Sequence, residues 1–198
     1  MMTLTPALPP CSVLLLCGGR GQRMGGHDKG LLHWHGQPLV AWLANHAAPM
    51  SDDLLISCNR NASRYAHFTS RLISDGNDDF AGPLAGIRAG LAQCHHERLL
   101  VLSCDAPKVS AEILNALRAC SAAHQNQAAL VKHGSQWQPL ISLWPRTLLA
   151  ALEAAWQAGE RSPLRFLLAH QAQPLQYPSH DERFVNLNTP EQLHAIVP

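Results

Sequence analysis

Charge of either sign is scarce in this sequence: 15% of its 198 residues are charged, and the net charge is +1. A net charge this close to zero gives no sign of a polyanion-binding protein, so nucleic acid is not indicated as a partner. The apolar stretches fall far short of the roughly 20 residues that cross a bilayer. The opening residues, MMTLTPALPPCS, contain three prolines and no basic segment, so we do not expect a signal peptide there. We expect no membrane contact and a disordered lead over residues 1–11.

Cysteine pairs of the Cys-x-x-Cys type are absent, although the chain has six cysteines. Their wide spacing excludes a zinc ribbon and a disulfide framework. We therefore expect a cytoplasmic protein with six reduced thiols: Cys11, Cys17, Cys58, Cys94, Cys104 and Cys120.

What the sequence does contain is an alternation of strand and helix patterns. The first apolar run, SVLLLC at 12–17, suits a strand that is buried on both faces of a parallel sheet. The alternation predicts a three-layer α/β fold, in which a mostly parallel twisted sheet carries helices on both faces. Residues 12–198 are expected to form a single domain. Further strands are predicted at 53–58, 71–75, 98–107, 128–133 and within 182–188, and helices at 38–48, after Gly82-Pro83, at 110–120, from Pro145, at 163–171 and from Thr189.

A glycine-rich loop follows the first strand, in the segment LLLCGGRGQRMGGHDKG at 14–30. Ligands of doubly wound sheets bind beyond the carboxyl ends of the strands, where glycine-rich turns let backbone N–H groups approach phosphates. The loop does not fit the dinucleotide pattern, because Met24 stands in place of the third glycine. It does not fit the Walker pattern either, because Gly30 follows Lys29. Arg23 and Lys29 within a backbone cradle suit a triphosphate. The alternative is a solvated loop with scattered basic residues.

Four segments resemble the signature segments of the molybdenum cofactor guanylyltransferases. They are LCGGRGQRMGGHDK at 16–29, ISDGNDDFAGPLAG at 73–86, SCDAP at 103–107 and VNLNTPEQ at 185–192. Those enzymes belong to a wider nucleotidyltransferase group that shares the glycine-rich loop. One position departs from the family's usual pattern, since Cys17 stands in place of alanine. The resemblance covers nearly the whole chain and implies a Rossmann-like nucleotidyltransferase fold.

The resemblance also implies which residues form the site. Arg23, Lys29 and Asp105 are the expected catalytic residues: the two cations hold the triphosphate, and Asp105 binds Mg²⁺, the implied cofactor. Asn186 and Asn188 are the expected contacts to molybdopterin. The implied GTP-binding residues are Leu16, Cys17, Gly18, Gly19, Arg23, Gly26, Lys29, Asn59, Asp75, Gly82, Gly86 and Asp105.

Several of these positions also have a purely structural interpretation. Asp28 either orients the lysine that follows it or caps a turn. Asp105 could cap the turn after its strand, and Asn59 could be a turn residue at a strand end. Asn186 and Asn188 alternate along the predicted last strand, so they face one side, and they could be polar residues of an exposed edge.

The implied reaction is the transfer of GMP from GTP to the terminal phosphate of molybdenum-loaded molybdopterin, with release of pyrophosphate. The implied partners are these two substrates and, transiently, proteins that donate the cofactor or assemble molybdoenzymes. Two other nucleotidyltransferases stay open, a cytidylyltransferase for the same cofactor and a sugar-phosphate nucleotidyltransferase. Outside that class, the alternatives are a non-catalytic GTP-binding regulator and a plain α/β interaction domain.

Overall fold

A computed structural model of the protein describes residues 8–18, 28–74, 82–124 and 127–187. The strands in these ranges are β1 Ser12–Leu16, β2 His33–Trp34, β3 Gln37–Pro38, β4 Leu54–Ser57, β5 Arg71–Ile73, β6 Arg98–Ser103, β7 Ala129–His133, β8 Gln136–Pro145 and β9 Gln173–Tyr177. The helices are α1 Leu39–Ala47, α2 Ala62–Tyr65, α3 Pro83–Gln93, α4 Ala111–Ala123, α5 Leu149–Gln157 and α6 Pro163–Ala169. Short 3₁₀ turns lie at Lys29–Leu31, Arg146–Leu148 and Glu182–Phe184.

Seven of the strands form one sheet in the order β5-β4-β1-β6-β8-β7-β9. Within this described sheet, β8 runs antiparallel to both of its neighbours, and all other adjacent strands are parallel. The chain passes from β1 to one side through β4 and β5 and then returns to the other side at β6. The mostly parallel sheet is therefore confirmed, and the strand order reverses at β1, which is where such sheets bind ligands.

Helices cover both faces of the sheet, and β1 buries every one of its side chains. Leu14 and Leu16 point into one apolar layer, which α3, α5 and α6 complete. Val13 and Leu15 point into the opposite layer, which α1 and α4 complete. Both faces of the central strand are thus removed from water, and the predicted three-layer arrangement is confirmed.

The sequence pattern does not predict β8 or β9. Within β8, Pro139 interrupts the pattern, because proline cannot donate a hydrogen bond to a neighbouring strand. The structure accommodates it with an irregular pairing: Leu130 is opposite Ser142, but the next residue, Val131, is opposite Gln138. The extra residues of β8 bulge out of this ladder, so the strand continues past its proline. β9 is a polar strand at the sheet edge, where exposed side chains alternate with half-buried ones.

The predicted last strand within 182–188 is wrong. Glu182–Phe184 form a 3₁₀ turn, and residues 185–187 follow it outside the sheet. The turn begins at Asp181, whose carboxylate accepts hydrogen bonds from the backbone and the guanidinium of Arg183. Local hydrogen bonds of this kind compete with strand pairing and here override the alternating pattern. The helix predicted after this segment lies outside the described residues.

The described part of the predicted lead packs on the domain. Arg118 donates hydrogen bonds to the carbonyl oxygens of Leu8 and Pro9 at 3.3 and 3.0 Å, and Cys11 is fully buried. All six cysteines are among the described residues and are free thiols, as predicted. In the described ranges, every helix is too short or too polar to cross a membrane.

A buried carboxylate joins several segments at the amino-terminal edge of the parallel strands. Asp53 accepts hydrogen bonds from the Ser12 hydroxyl at 2.5 Å, from the His95 backbone N–H at 2.9 Å and from Arg71. Burial acts to raise the pKa of Asp53, but these three hydrogen bonds outweigh it and hold the pKa below its usual value. A lowered pKa stabilises the fold at neutral pH, and this contribution is lost as the pH falls through the lowered pKa.

Replacing Asp53 with asparagine is expected to lower the free energy of unfolding at pH 7 by about 2 kcal/mol, because Arg71 loses its charged partner. The matched control is Asp52→Asn: Asp52 is 84% exposed and lies 2.6 Å from His96. That variant should lose much less stability than Asp53→Asn, because an ion pair between solvent-exposed side chains contributes little. Urea unfolding measures both losses, and the Asp53→Asn loss should shrink as the pH is lowered toward 3. Equal losses at neutral pH would contradict the assigned role of Asp53.

Candidate active site

The carboxyl ends of β1, β4 and β6 lie side by side at one edge of the sheet. Leu16, the last residue of β1, is in register with Ser57 on β4 and with Ser103 on β6. One residue further, the Cys17 backbone N–H donates to the Ser57 carbonyl at 2.9 Å, and the Cys104 N–H donates to the Leu16 carbonyl at 3.2 Å. The parallel ladder therefore carries the residues that follow all three strands to the same edge.

Two of the three predicted catalytic residues meet at this edge. Lys29 Nζ lies 3.0 Å from Asp105 Oδ2, although 76 residues separate them in the sequence. The side chains are 22% and 20% exposed, so the pair is open to a ligand on one side. A lysine on a flexible stem can turn from the carboxylate to a phosphate, and the carboxylate is then available to a metal ion. The pair therefore suits an anionic ligand that arrives with a cation.

Asp28, the residue before Lys29, is held from a different part of the chain. The Tyr65 hydroxyl donates to Asp28 Oδ1 at 2.5 Å, and the Asn61 side-chain amide donates to Oδ2 at 2.9 Å. Within the described turn at 29–31, the Asp28 side chain makes no capping hydrogen bond, so the capping interpretation is wrong. Sequence reasoning misses Asn61 and Tyr65, because no local motif links them to the loop after β1.

The end of β1 presents no side chain to a ligand, because the side chains of Leu16 and Cys17 are buried in opposite apolar layers. Burial raises the pKa of the Cys17 thiol, and the neighbouring Cys104 raises it further, so Cys17 stays protonated at neutral pH. Gly18 is exposed, and a Cβ built there would lie 3.8 Å from the Ser57 carbonyl oxygen, an ordinary contact. Packing within the described protein therefore does not explain the glycine at position 18.

Gly82 and Gly86 have different structural roles at the start of α3. Gly82 precedes the helix with a φ of +88°, a conformation that favours glycine, and Pro83 begins the first turn. Gly86 lies inside the helix, and a Cβ there would come within 2.8 Å of Leu16 and 2.9 Å of the Ser57 hydroxyl. Glycine therefore lets α3 pack directly on β1 and β4, which places the N–H groups of its first turn near the edge. GTP binding by these two glycines stays a prediction.

Asn59 and Asn186 reach the same edge by different routes. Asn59 follows β4 and accepts a hydrogen bond from the Ser74 hydroxyl at 3.2 Å. Asn186 is not on a strand, contrary to the prediction. Its neighbour Leu187 donates its backbone N–H to the Asp105 carbonyl at 2.8 Å, which holds this segment beside Asp105. The predicted site residues that lie outside the described residues are Gly19, Arg23, Gly26, Asp75 and Asn188.

Asp105 suits a metal ion that is shared with a substrate. Among the described side chains, no cluster of three or more His, Cys, Asp or Glu could hold a metal ion unaided. Mg²⁺ does not need such a cluster, because proteins commonly bind it through one or two carboxylates together with phosphate oxygens. The single, partly exposed carboxylate of Asp105 therefore fits Mg²⁺ bound together with a phosphate ligand.

The architecture is that of nucleotidyltransferases of known structure. The solved structure of molybdopterin-guanine dinucleotide biosynthesis protein A from Archaeoglobus fulgidus is similar, with a TM-score of 0.73 and 26% identity; the match covers 92% of this chain and 95% of that one. The 2-C-methyl-D-erythritol 4-phosphate cytidylyltransferase from Thermus thermophilus shares the fold, with a TM-score of 0.71 and 14% identity over 93% of this chain and 96% of that one.

The sequence comparisons identify the family within this class. The family model of the MobA-like NTP transferase domain matches residues 13–177. A relative from Ectopseudomonas mendocina, named molybdenum cofactor guanylyltransferase, is 56% identical over 98% of this chain and 95% of its own. A relative of the same name from Pseudomonas fluorescens is 52% identical over 98% of this chain and 97% of its own. The chain therefore belongs to the molybdenum cofactor guanylyltransferases, a nucleotidyltransferase family of molybdenum cofactor biosynthesis, which confirms the resemblance of its motifs.

Proposed function

We propose that this protein transfers GMP from GTP to the terminal phosphate of molybdenum-loaded molybdopterin, releasing pyrophosphate and forming the guanine dinucleotide form of the cofactor. The observation that carries the proposal is the Lys29–Asp105 pair, 3.0 Å apart at the edge where the strand order reverses. The names of the relatives support guanine as the base and the molybdenum cofactor as the acceptor.

The guanine is proposed to bind against the backbone of Leu16, Cys17 and Gly18. The burial of the first two side chains supports this placement, since a base there would meet backbone atoms rather than side chains. Gly18 supports it as well, because its open side is not filled by described protein atoms and leaves room for a base. The proposed GTP site is completed by Gly19, Gly26, Asn59, Asp75, Gly82 and Gly86.

The triphosphate is proposed to bind over Lys29 and Asp105, with Arg23 as the second cation. Lys29 exchanges its carboxylate partner for phosphate oxygens and stabilises the charge that develops on the leaving pyrophosphate. Asp105 would hold Mg²⁺, which supplies Lewis-acid chemistry at the phosphates when it is bound. The hydrogen bond from the Leu187 N–H to the Asp105 carbonyl keeps the Asp105 backbone in place during this exchange.

The nucleophile is proposed to be the acceptor's own phosphate, so the protein needs no general base. A phosphate monoester has a second pKa of about 6 and is largely dianionic at pH 7. Its oxygen attacks the α-phosphorus of GTP in line, one P–O bond forms, and the bond to the leaving pyrophosphate breaks. Cys17 and Cys58 do not compete as nucleophiles, because burial raises the pKa of both thiols. Asn186 and Asn188 are the proposed contacts to the acceptor.

Pyrophosphate release tests both the reaction and the choice of base. With Mg²⁺ and molybdenum-loaded molybdopterin, kcat/KM for GTP is expected to exceed the values for CTP and UTP by about 100-fold. The physical reason is that a site built to hydrogen-bond one base leaves its polar groups unpaired with another. Without the acceptor, release should fall to background, because the acceptor phosphate is the nucleophile.

Other outcomes of this assay would identify the alternatives. A preference for CTP would indicate a cytidylyltransferase for the same cofactor, and turnover with a sugar phosphate as acceptor would indicate a sugar-phosphate nucleotidyltransferase. Thermal stabilisation by GTP without pyrophosphate release, with both substrates present, would indicate a non-catalytic regulator. No stabilisation by any nucleotide would indicate an interaction domain.

A further inference from the structure

Tyr65 contacts the residues on both sides of Lys29. Its ring is fully buried, and its hydroxyl donates to Asp28 Oδ1 at 2.5 Å. On the other side of the lysine, a Cβ built on Gly30 would lie 2.5 Å from the same hydroxyl oxygen and 3.3 Å from Cys17 Sγ. The tyrosine therefore packs directly on the Gly30 backbone, a close approach that only glycine permits.

The short helix α2 is organised to present this tyrosine. Ala62, Ser63 and Arg64 are exposed, whereas Tyr65 is buried, so the helix contributes Tyr65 to the protein interior. Asn61, which precedes α2, has a left-handed φ of 55° and donates to Asp28 Oδ2 at 2.9 Å. Both carboxylate oxygens of Asp28 thus accept hydrogen bonds from the same short segment.

These two hydrogen bonds have an electrostatic consequence for Lys29. Asp28 is its direct neighbour in the sequence, and a free carboxylate there would compete with Asp105 and with phosphate for the Lys29 ammonium group. Both oxygens of Asp28 are bound to Tyr65 and Asn61, and Lys29 Nζ contacts the carboxylate of Asp105 instead, 3.0 Å away at the edge of the sheet.

We propose that Tyr65 is a positioning residue for nucleotidyl transfer: by holding Asp28 and packing on Gly30, it sets the place of Lys29 Nζ in the nucleotide site. This inference rests on the proposed function, since it requires Lys29 to act on GTP. It assigns Tyr65 a part in turnover that burial in the core alone would not give it.

The test is Tyr65→Phe, which removes the hydroxyl and keeps the ring. In the pyrophosphate-release assay, kcat is expected to fall about tenfold while KM for GTP changes less than about threefold, because a misplaced charge is felt most in the transition state. Tyr177→Phe is the matched control: it removes the hydroxyl of the chain's other tyrosine and should leave kcat unchanged. Asn61→Gly, which keeps the left-handed backbone accessible and removes the second donor, should lower kcat in the same direction and decides the matter if Tyr65→Phe folds poorly.

A double-mutant cycle separates positioning from a merely structural role. In a Lys29→Ala background, Tyr65→Phe should cause no further loss of kcat, because its effect passes through Lys29. If the double variant lost kcat by the product of the two single-variant losses, the inference would be overturned. Equal kcat values for Tyr65→Phe and Tyr177→Phe would overturn it as well. If Lys29→Ala itself retained full turnover, or the unmodified protein released no pyrophosphate, the proposed function would fail instead, so the two failures are distinguishable.

Discussion

Lys29→Ala is expected to lower the turnover of GTP by about 10²- to 10³-fold and to leave the fold intact. Removing one group aimed at charge that develops in a transition state typically has an effect of this size. The side chain is 22% exposed, so loss of its ion pair with Asp105 should lower the free energy of unfolding by less than about 1 kcal/mol. Pyrophosphate release measures the first quantity, and urea unfolding measures the second.

Arg88 provides a matched control for Lys29. Its Nη1 lies 3.0 Å from Glu153 Oε2, the same separation as in the Lys29 pair, and its side chain is 26% exposed. Arg88 lies on α3 over the ring of Trp156 on α5, so Arg88→Ala removes a comparable cation within the helical layer. This variant should lose stability and keep its turnover per folded molecule. If Lys29→Ala also lost turnover only in proportion to its folded fraction, the catalytic assignment would be rejected.

Asp105→Asn is expected to abolish Mg²⁺-dependent turnover, with a loss of about 10³-fold or more. A metal ion supplies several kcal/mol of charge stabilisation at phosphate, and each 1.36 kcal/mol is about a factor of ten in rate. Asparagine keeps the size of the side chain, and the backbone carbonyl that accepts the Leu187 N–H is unchanged, so the fold should persist. Turnover measured against Mg²⁺ concentration should show that added metal does not restore the rate.

Glu153, the ion-pair partner of Arg88, provides a matched control for Asp105. It tests whether the Mg²⁺ dependence comes from the carboxylate at position 105 in particular. Glu153→Gln removes a carboxylate that is also 3.0 Å from its cation and should leave the Mg²⁺ dependence unchanged. Near-normal activity of Asp105→Asn at all Mg²⁺ concentrations would remove Asp105 as the proposed metal ligand. It would leave the family assignment intact, because that rests on identity over nearly the whole chain.

The central strand β1 is predictable from the sequence, whereas β8 and β9 are not. The apolar run at 12–17 predicts β1 at Ser12–Leu16, because a strand buried on both faces has no polar side to obscure the pattern. β9 at Gln173–Tyr177 is a half-buried edge strand with weak alternation, and Pro139 breaks the pattern of β8. Both strands depend on pairing with residues elsewhere in the chain, which local patterns do not encode.

The residues of the candidate site also differ in how far the sequence predicts them. The family motifs identify Lys29 and Asp105 as functional residues, because each lies in a recognisable segment. The same motifs do not identify Tyr65, since it stands in no signature segment and acts through a contact with Asp28. Asn186 is recognised by its motif, but the turn begun by Asp181 places it outside the sheet, so its predicted position on a strand is wrong.

By itself, the sequence determined the three-layer α/β class, the glycine-rich loop after the first strand, the free thiols and the family, because these follow from composition, periodicity and local motifs. The tertiary structure alone decided that Lys29 lies 3.0 Å from Asp105 and that Asp28 is held by Tyr65 and Asn61. Those contacts join segments 76, 37 and 33 residues apart, and they form only when parallel pairing brings the ends of β1, β4 and β6 to one edge.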